Sequence, residues 1–269
     1  MKRSMVAALP LLLVALTGSA LAASSPGRCT ADSGARRVAL LELYTSQGCS
    51  SCPPTDRWVS ELPGRGFGTD RLIVLAFHVD YWNRLGWRDP FSQAAFTERQ
   101  REISTRRRAG YVYTPQLVLD GRDNPRRAWT EDFPGRVAEI NRAPAQAKIT
   151  LETSRGPNGM QVRADTRVTG SALSAASSLR SFVALYENGI TTGVKSGENG
   201  GQTLRNDFIV RAMSAPGSVG SAAEAGSVAL NFNLPADVRS ERLVAVGFVQ
   251  NIVTGEVLQA VALPACTAG

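Results

Sequence analysis

Three rhythms of apolar and polar residues follow one another along this chain. The first is a single apolar block, Val6 to Leu16, too short to cross a bilayer as a helix. Lys2 and Arg3 precede it and Ala20-Leu21-Ala22 follows. That is the basic, apolar, small-x-small order of an export leader. Residues 1–23 are therefore expected to be a signal peptide, and the protein to be periplasmic or secreted. No later stretch reads as transmembrane.

The second rhythm alternates strand-like and helix-like patterns. Val38 to Tyr44 reads as a buried strand interrupted by Glu42. A helix is expected from Ser50 or Ser51 to about Leu62. Pro53 and Pro54 suit a first turn, where the backbone N–H lacks a partner anyway, and Pro63-Gly64 ends it. Arg71 to Val79 holds the near-continuous apolar run Leu72–Phe77, as in a parallel strand covered on both faces. Asp89-Pro90 opens a helix expected over Phe91 to about Arg108, with Phe91, Ala94, Ala95 and Ile103 as its apolar stripe. Gln116–Leu119 is a short strand turned by Asp120-Gly121, and Trp129 to about Ile140 is a further helix. The order β-α-β-α-β-(β)-α makes one α/β layer.

The third rhythm begins after Asn141-Arg142-Ala143-Pro144. Strand patterns dominate: Ala147–Glu152, Met160–Val168, Ser181–Glu187, Phe208–Met213, Ser227–Leu234 and Leu243–Asn251. Asn188-Gly189 and Thr254-Gly255 are hairpin turns. The fold class is thus α/β, with residues 36–143 as the α/β domain. Residues 146–266 form a β-rich, antiparallel, sandwich-like domain packed on the first. Gly193 to Gly201 reads as a flexible polar loop. It lacks the Lys-Ser/Thr ending of a phosphate loop, which removes nucleotide binding.

Composition changes this picture little. Without the leader roughly 247 residues remain, enough for two domains. The formal charge of +7 falls to +5 once Lys2 and Arg3 leave. In an exported chain that excess speaks for solubility and attraction to anionic surfaces rather than for nucleic acid. The oligomeric state is not legible.

Cysteine changes it more. The four cysteines, Cys29, Cys49, Cys52 and Cys266, are an even set in an oxidising compartment. The economical pairing is Cys29–Cys266 with Cys49–Cys52, although three pairings are open. Cys49-Ser50-Ser51-Cys52 lies between a strand and a helix, where free backbone N–H groups favour a thiolate. Cys49 is then the attacking sulfur, left accessible by two small serines, and Cys52 the deeper, resolving one. His78, the single histidine, closes the second strand at the sheet edge that usually carries ligands. It can stabilise a thiolate or carry a proton. Asp80, Tyr81 and Trp82 are expected to line the pocket beside Cys49, with Asp80 orienting His78. Three readings follow. One is a thiol–disulfide oxidoreductase acting on protein or peptide thiols with no added cofactor. The second is a non-catalytic binding or assembly protein with a structural disulfide. The third is a Cu(I) or Zn²⁺ carrier using Cys49, Cys52 and His78.

Several longer motifs carry a resemblance. Leu41-Glu42-Leu43-Tyr44-Thr45-Ser46-Gln47-Gly48-Cys49-Ser50-Ser51-Cys52-Pro53-Pro54 resembles the signature of the exported DUF1223 family. Phe77-His78-Val79-Asp80-Tyr81-Trp82, Tyr113-Thr114-Pro115-Gln116 and Gly197-Glu198-Asn199-Gly200 are similar to that family's other motifs. The resemblance implies a thioredoxin-like N-terminal domain joined to a β-rich one, without a settled activity. It also implies a cis proline at Pro115, with Thr114 presenting backbone to an extended substrate. Ser50-Ser51 departs from the Gly-Pro of well-understood thioredoxins, which leaves the redox direction open.

Overall fold

The two strands that read as apolar on both faces do so because they lie side by side inside one large sheet. The computed structural model describes residues 27–125, 132–156, 159–235, 237–264 and 266. The expected leader, and the expected helix start at Trp129, lie outside them. In chain order the elements are β1 (Arg28–Asp32), β2 (Ala39–Thr45), α1 (Pro53–Ser60), β3 (Leu72–His78), α2 (Ala94–Arg106), β4 (Gln116–Leu119), β5 (Arg122–Asp123) and α3 (Phe133–Arg142). The β-rich half follows: β6 (Ala147–Gly156), β7 (Gly159–Val168), β8 (Leu179–Glu187), β9 (Ile190–Gly193), β10 (Thr203–Asn206), β11 (Ile209–Met213), β12 (Gly217–Ser218), β13 (Gly226–Asn233), β14 (Leu243–Asn251) and β15 (Val257–Pro264).

The large sheet runs β15-β14-β8-β11-β3-β2-β4-β5, with β12 beside β8. β2 pairs parallel with β3 and antiparallel with β4. β11 comes from the β-rich half, yet it pairs parallel with β3 through Ile209 and Ala76, and antiparallel with β8. The two halves therefore share one sheet rather than meeting only through side chains. A second sheet, β1-β6-β7-β13, covers one face of the β8–β14–β15 region. Ile149, Leu151, Val162 and Ala164 meet Val183, Leu185, Ala245, Val249 and Leu258 there. Alternate residues of the same strands, Phe182, Ala184, Tyr186, Val246 and Phe248, share the other core with Leu41, Leu43, Phe77 and Phe96. This is the period-two division of a strand between two faces.

A buried ion pair crosses this second core. Arg99 of α2 donates Nε and Nη2 to Glu42 of β2 at 2.7 and 2.9 Å, and Nη2 to Gln250 of β14 at 3.1 Å. Its guanidinium lies over the rings of Phe77, Phe182 and Phe248. Glu42 also accepts from the Tyr44 hydroxyl at 2.7 Å. The disulfide Cys29–Cys266 ties β1 to the residues after β15, and Cys49–Cys52 is the other pair.

Four differences from the sequence reading have physical causes. α1 starts at Pro53 with Cys52 as its N-cap, not at Ser50. α2 starts at Ala94, not Phe91, because the Asp89 side chain accepts from Phe91 N–H and the Asp89 carbonyl accepts from Ser92. That holds the intervening residues in a turn. The expected loop from Gly193 to Gly201 is the ordered tip of the β9–β10 hairpin. β1 went unread, and β15 was implied only by the hairpin turn expected at Thr254-Gly255, which does lie between β14 and β15. No helix among the described residues is long and apolar enough to cross a membrane.

Candidate functional site

β2 delivers the chain into a wholly buried loop, Ser46-Gln47, and then into Cys49. Two successive turns carry it to the helix. Cys49 N–H donates to the Ser46 carbonyl at 3.1 Å and Cys52 N–H to the Cys49 carbonyl at 3.2 Å. Thr55 and Asp56 N–H then close on the Cys52 carbonyl, and the prolines occupy positions where no donor is needed. Cys49 thus lies one turn before the helix, and Cys52 caps it.

Both cysteines are 0% exposed. The two serines are exposed but do not open the sulfur of Cys49, as their size had suggested. Ser51 Oγ lies 3.3 Å from Cys49 Sγ, and the tip of the β9–β10 hairpin docks on the loop. Asn199, itself buried, donates Nδ2 to the carbonyls of Gln47 (2.9 Å) and Cys49 (3.0 Å). Glu198 Oε2 accepts from Ser50 N–H (2.9 Å) and Ser50 Oγ (2.7 Å). These two bonds hold the Glu198 carboxyl below its ordinary range. Gly197, at φ +75°, packs on Trp87, where a Cβ would come within 3.1 Å of the Trp87 Cβ. Only glycine allows that docking.

Behind the disulfide loop lies a buried polar cluster. His78 Nδ1 is 2.7 Å from Asp89 Oδ2, which also accepts from Gln47 N–H at 2.8 Å. His78 Nε2 is shut from water without a partner. Asp56, in the first turn of α1, accepts from Thr45 Oγ1 at 2.9 Å. Gln47 Nε2 reaches Thr192 and Asn206 of the capping hairpin. Burial pushes the Asp56 carboxyl up to about 6, despite the opposing pull of His78 and of hydrogen bonds from Thr45 and Asn206. For His78, burial works against the charged ring, but the charge and hydrogen bond of Asp89, with Asp56 beyond, raise it overall. Burial likewise opposes ionisation of Asp89, yet His78 and two backbone donors hold it below its ordinary range. A hydrogen-bonded His78–Asp89 pair therefore lies beside the cysteine loop, with Asp56 near enough to feel the charge of His78.

The remaining expected residues fall into two groups. Trp82 packs against Gly48, and its indole N–H donates to Thr114 Oγ1 at 2.7 Å. It thereby links the cysteine loop to the Thr114–Pro115 loop, and the bond between those residues is cis. Tyr81 donates to Gln100 at 3.2 Å, and burial raises its hydroxyl to about 12, out of acid–base range. Asp80 does not orient His78: it accepts from Thr97 Oγ1 at 2.6 Å and braces α2. Asp89 does that work instead. Asp56, Asp89 and Asn199 were not picked out as site residues. The available signal for Asp56 was its place four residues after Cys52, an acid in the first turn of a short helix. Among the described residues no three His, Cys, Asp or Glu side chains gather as a metal site requires. The Cu(I) or Zn²⁺ reading of Cys49, Cys52 and His78 therefore loses its ligand set.

With this geometry in view, comparison with known proteins is decisive on one point. Residues 40–250 match the family model described as protein of unknown function (DUF1223). The chain belongs to the DUF1223 family. No curated protein matches it. Among solved structures it is similar to protein AGR_C_4864 from Agrobacterium tumefaciens, at 24% identity and TM-score 0.55 over 84% of this chain and 94% of that one. It is also similar to HBP35 of Porphyromonas gingivalis, at 12% identity and TM-score 0.64 over 87% of this chain and 76% of that one. At these identities the likeness shows the fold alone: a thioredoxin-like α/β region followed by a larger, mostly β-stranded one.

Proposed function

We propose that this DUF1223 protein is an exported thiol–disulfide oxidoreductase acting on protein or peptide thiols. The observation that carries the reading is the Cys49–Cys52 disulfide at the head of α1 in a thioredoxin-like fold, with a buried titratable cluster behind it. In the proposed chemistry a substrate thiolate attacks Cys49 Sγ, Cys52 leaves as a thiolate, and a second substrate thiolate attacks the substrate sulfur of the mixed disulfide and releases reduced Cys49; in the reverse direction Cys49 attacks a substrate disulfide and Cys52 resolves. Asp56 and His78 take up and return the proton that the departing thiolate needs. Trp82, Tyr81 and the Thr114–Pro115 loop present the substrate chain. Export agrees with the leader pattern and with two disulfides.

A second reading draws on one specific observation. Both sulfurs are fully buried, as suits a structural disulfide in a non-catalytic binding or assembly protein. One experiment separates the two. Cys52→Ala is incubated with a peptide mixed disulfide and the Cys49 thiol is titrated by alkylation. A trapped adduct, with a thiol pKa below the ordinary value of about 8.5, supports the oxidoreductase. An untrapped protein with an ordinary thiol overturns it.

A further inference from the structure

The hairpin tip puts a carboxylate where an incoming substrate must arrive. Ser50 follows Cys49 directly, and both its donors, N–H and Oγ–H, are spent on Glu198 Oε2. Glu198 is itself fully exposed, so its bonds form at the protein–water boundary, where they contribute little to holding the fold. Its effect is local: it fastens the tip of the hairpin over a fully buried Cys49. Lifting that tip frees two convergent donors next to the sulfur. The surroundings are basic. Lys195 on the same tip, and Arg84 and Arg88 flanking the Gly86-Trp87 segment on which Gly197 rests, are all exposed. Charge-assisted donors in a basic rim select anions.

The geometry points to a carboxylate-recognition point at Ser50: the site takes thiols carried on peptides with an acidic side chain beside the cysteine, and Glu198 occupies that point until such a group replaces it. The inference rests on reading Cys49–Cys52 as the redox centre. A substrate Glu or Asp takes the Ser50 donors from Glu198, and the tip lifts as the Asn199 bonds to the Gln47 and Cys49 carbonyls also break. The substrate thiolate then attacks Cys49 Sγ, forming the mixed disulfide. The Cys49–Cys52 bond breaks, and Cys52 leaves as a thiolate and is protonated. A second substrate thiolate attacks the substrate sulfur of the mixed disulfide and releases Cys49. The substrate dithiol ends as a disulfide, and the protein pair is reduced by two electrons.

The test uses two dithiol peptides identical except for Glu or Gln next to one cysteine. Single-turnover reduction of the whole protein is quenched by alkylation and read by mass spectrometry at pH 7.5. Each rate is normalised to the same peptide's rate with a small neutral disulfide. The Glu peptide is expected to react at least about 10-fold faster, a margin in keeping with a charge-assisted hydrogen bond. Ser50→Ala shrinks that preference. Glu198→Gln speeds both peptides while keeping it. Equal normalised rates in wild type and Glu198→Gln overturn the inference. A second measurement needs no redox step. A cysteine-free acetylated Glu peptide is titrated into Glu198→Ala, and the Ser50 amide is followed by ¹H–¹⁵N NMR. A saturating shift with the Glu peptide, absent with its Gln twin, supports the recognition point; no saturable shift overturns it. If the disulfide resists every thiol while this shift saturates, the redox reading fails and the recognition point stands.

Discussion

Replacing Asp56 by Asn is expected to stabilise the protein at alkaline pH and leave it unchanged at acid pH. Asn keeps the shape and can still accept from Thr45 Oγ1, but it cannot ionise. In the folded protein the Asp56 carboxyl titrates at about 6, against 3.8 for a free side chain. The folded state therefore holds its proton over a range where the unfolded state has lost it, and stability falls as pH rises from about 4 through 6. The span of roughly two units, at 1.36 kcal/mol each, puts the loss above pH 7 at about 3 kcal/mol. Asn removes that loss. It also removes a negative charge that favours His78 in its protonated form, so the net gain at pH 8 is on the order of 1–3 kcal/mol. Urea unfolding of both proteins at pH 4.5 and pH 8 measures it. His78 supplies a second readout, because the chain has one histidine. In an untagged protein its imidazole ¹H NMR titration should move to lower pH in Asp56→Asn. An Asn variant equally destabilised at both pH values, with an unmoved histidine midpoint, would refute the account of an electrostatically linked cluster.

Other expectations test the frame around the site. Arg99→Met leaves Glu42 buried with only the Tyr44 hydroxyl and should cost about 3–5 kcal/mol in urea unfolding; adding Glu42→Gln should restore part of it. Cys29→Ser opens a loop closed across a sequence separation of 237 residues and should cost about 2–5 kcal/mol, read as a lowered urea midpoint with a steeper slope, because the freed unfolded chain exposes more surface. Gly121→Ala should cost about 2 kcal/mol or more. Gly121 sits at φ +75°, and a Cβ there would fall 1.8 Å from the Gly255 carbonyl oxygen. Gly255→Ala, at φ +84° but with looser contacts, should cost less.

Much of the frame was legible because it rests on local periodicity. The apolar runs Leu72–Phe77 and Val38–Tyr44 announced central strands, and they are neighbours in the sheet. The cysteine pair and the motif Tyr113-Thr114-Pro115 announced two loops that Trp82 links. What stayed hidden depends on partners far apart in sequence. Nothing local in Ile209–Met213 says that it slots between β3 and β8, because the same apolar run suits any buried strand. Nothing in Gly193–Gly201 says that its tip lies on Cys49, some 150 positions earlier. A polar, glycine-rich stretch carries the same composition whether it waves in water or docks on a backbone carbonyl. Asp89 read as a helix opener since that is what an acid before Pro90 locally signals. Its contact with His78 arises only once β3 and the turn before α2 come together.

Two of the buried polar clusters among the described residues obey different rules. Around Glu42, every charge is matched: Arg99 lies in the fork of the carboxylate, Tyr44 and Gln250 take the remaining positions, and three aromatic rings face the guanidinium. Such a cluster joins α2, β2 and β14 and asks for no other role. Under the disulfide loop the accounts do not close. Asp89 alone is bonded to the imidazole, His78 Nε2 has no partner, and burial holds the Asp56 carboxyl up at about 6. That arrangement weakens the fold at neutral pH, and a disulfide serving only as a staple has no use for it, since bonded sulfurs neither take nor give protons. Proton exchange does need it. On the proposed redox reading, opening Cys49–Cys52 forms a thiolate, and Asp56 and His78 are the titratable groups of the cluster beside its loop. On that reading the burial that favours the staple becomes the reason for the cluster, and the capping hairpin is the element whose movement sets when the sulfur is reached.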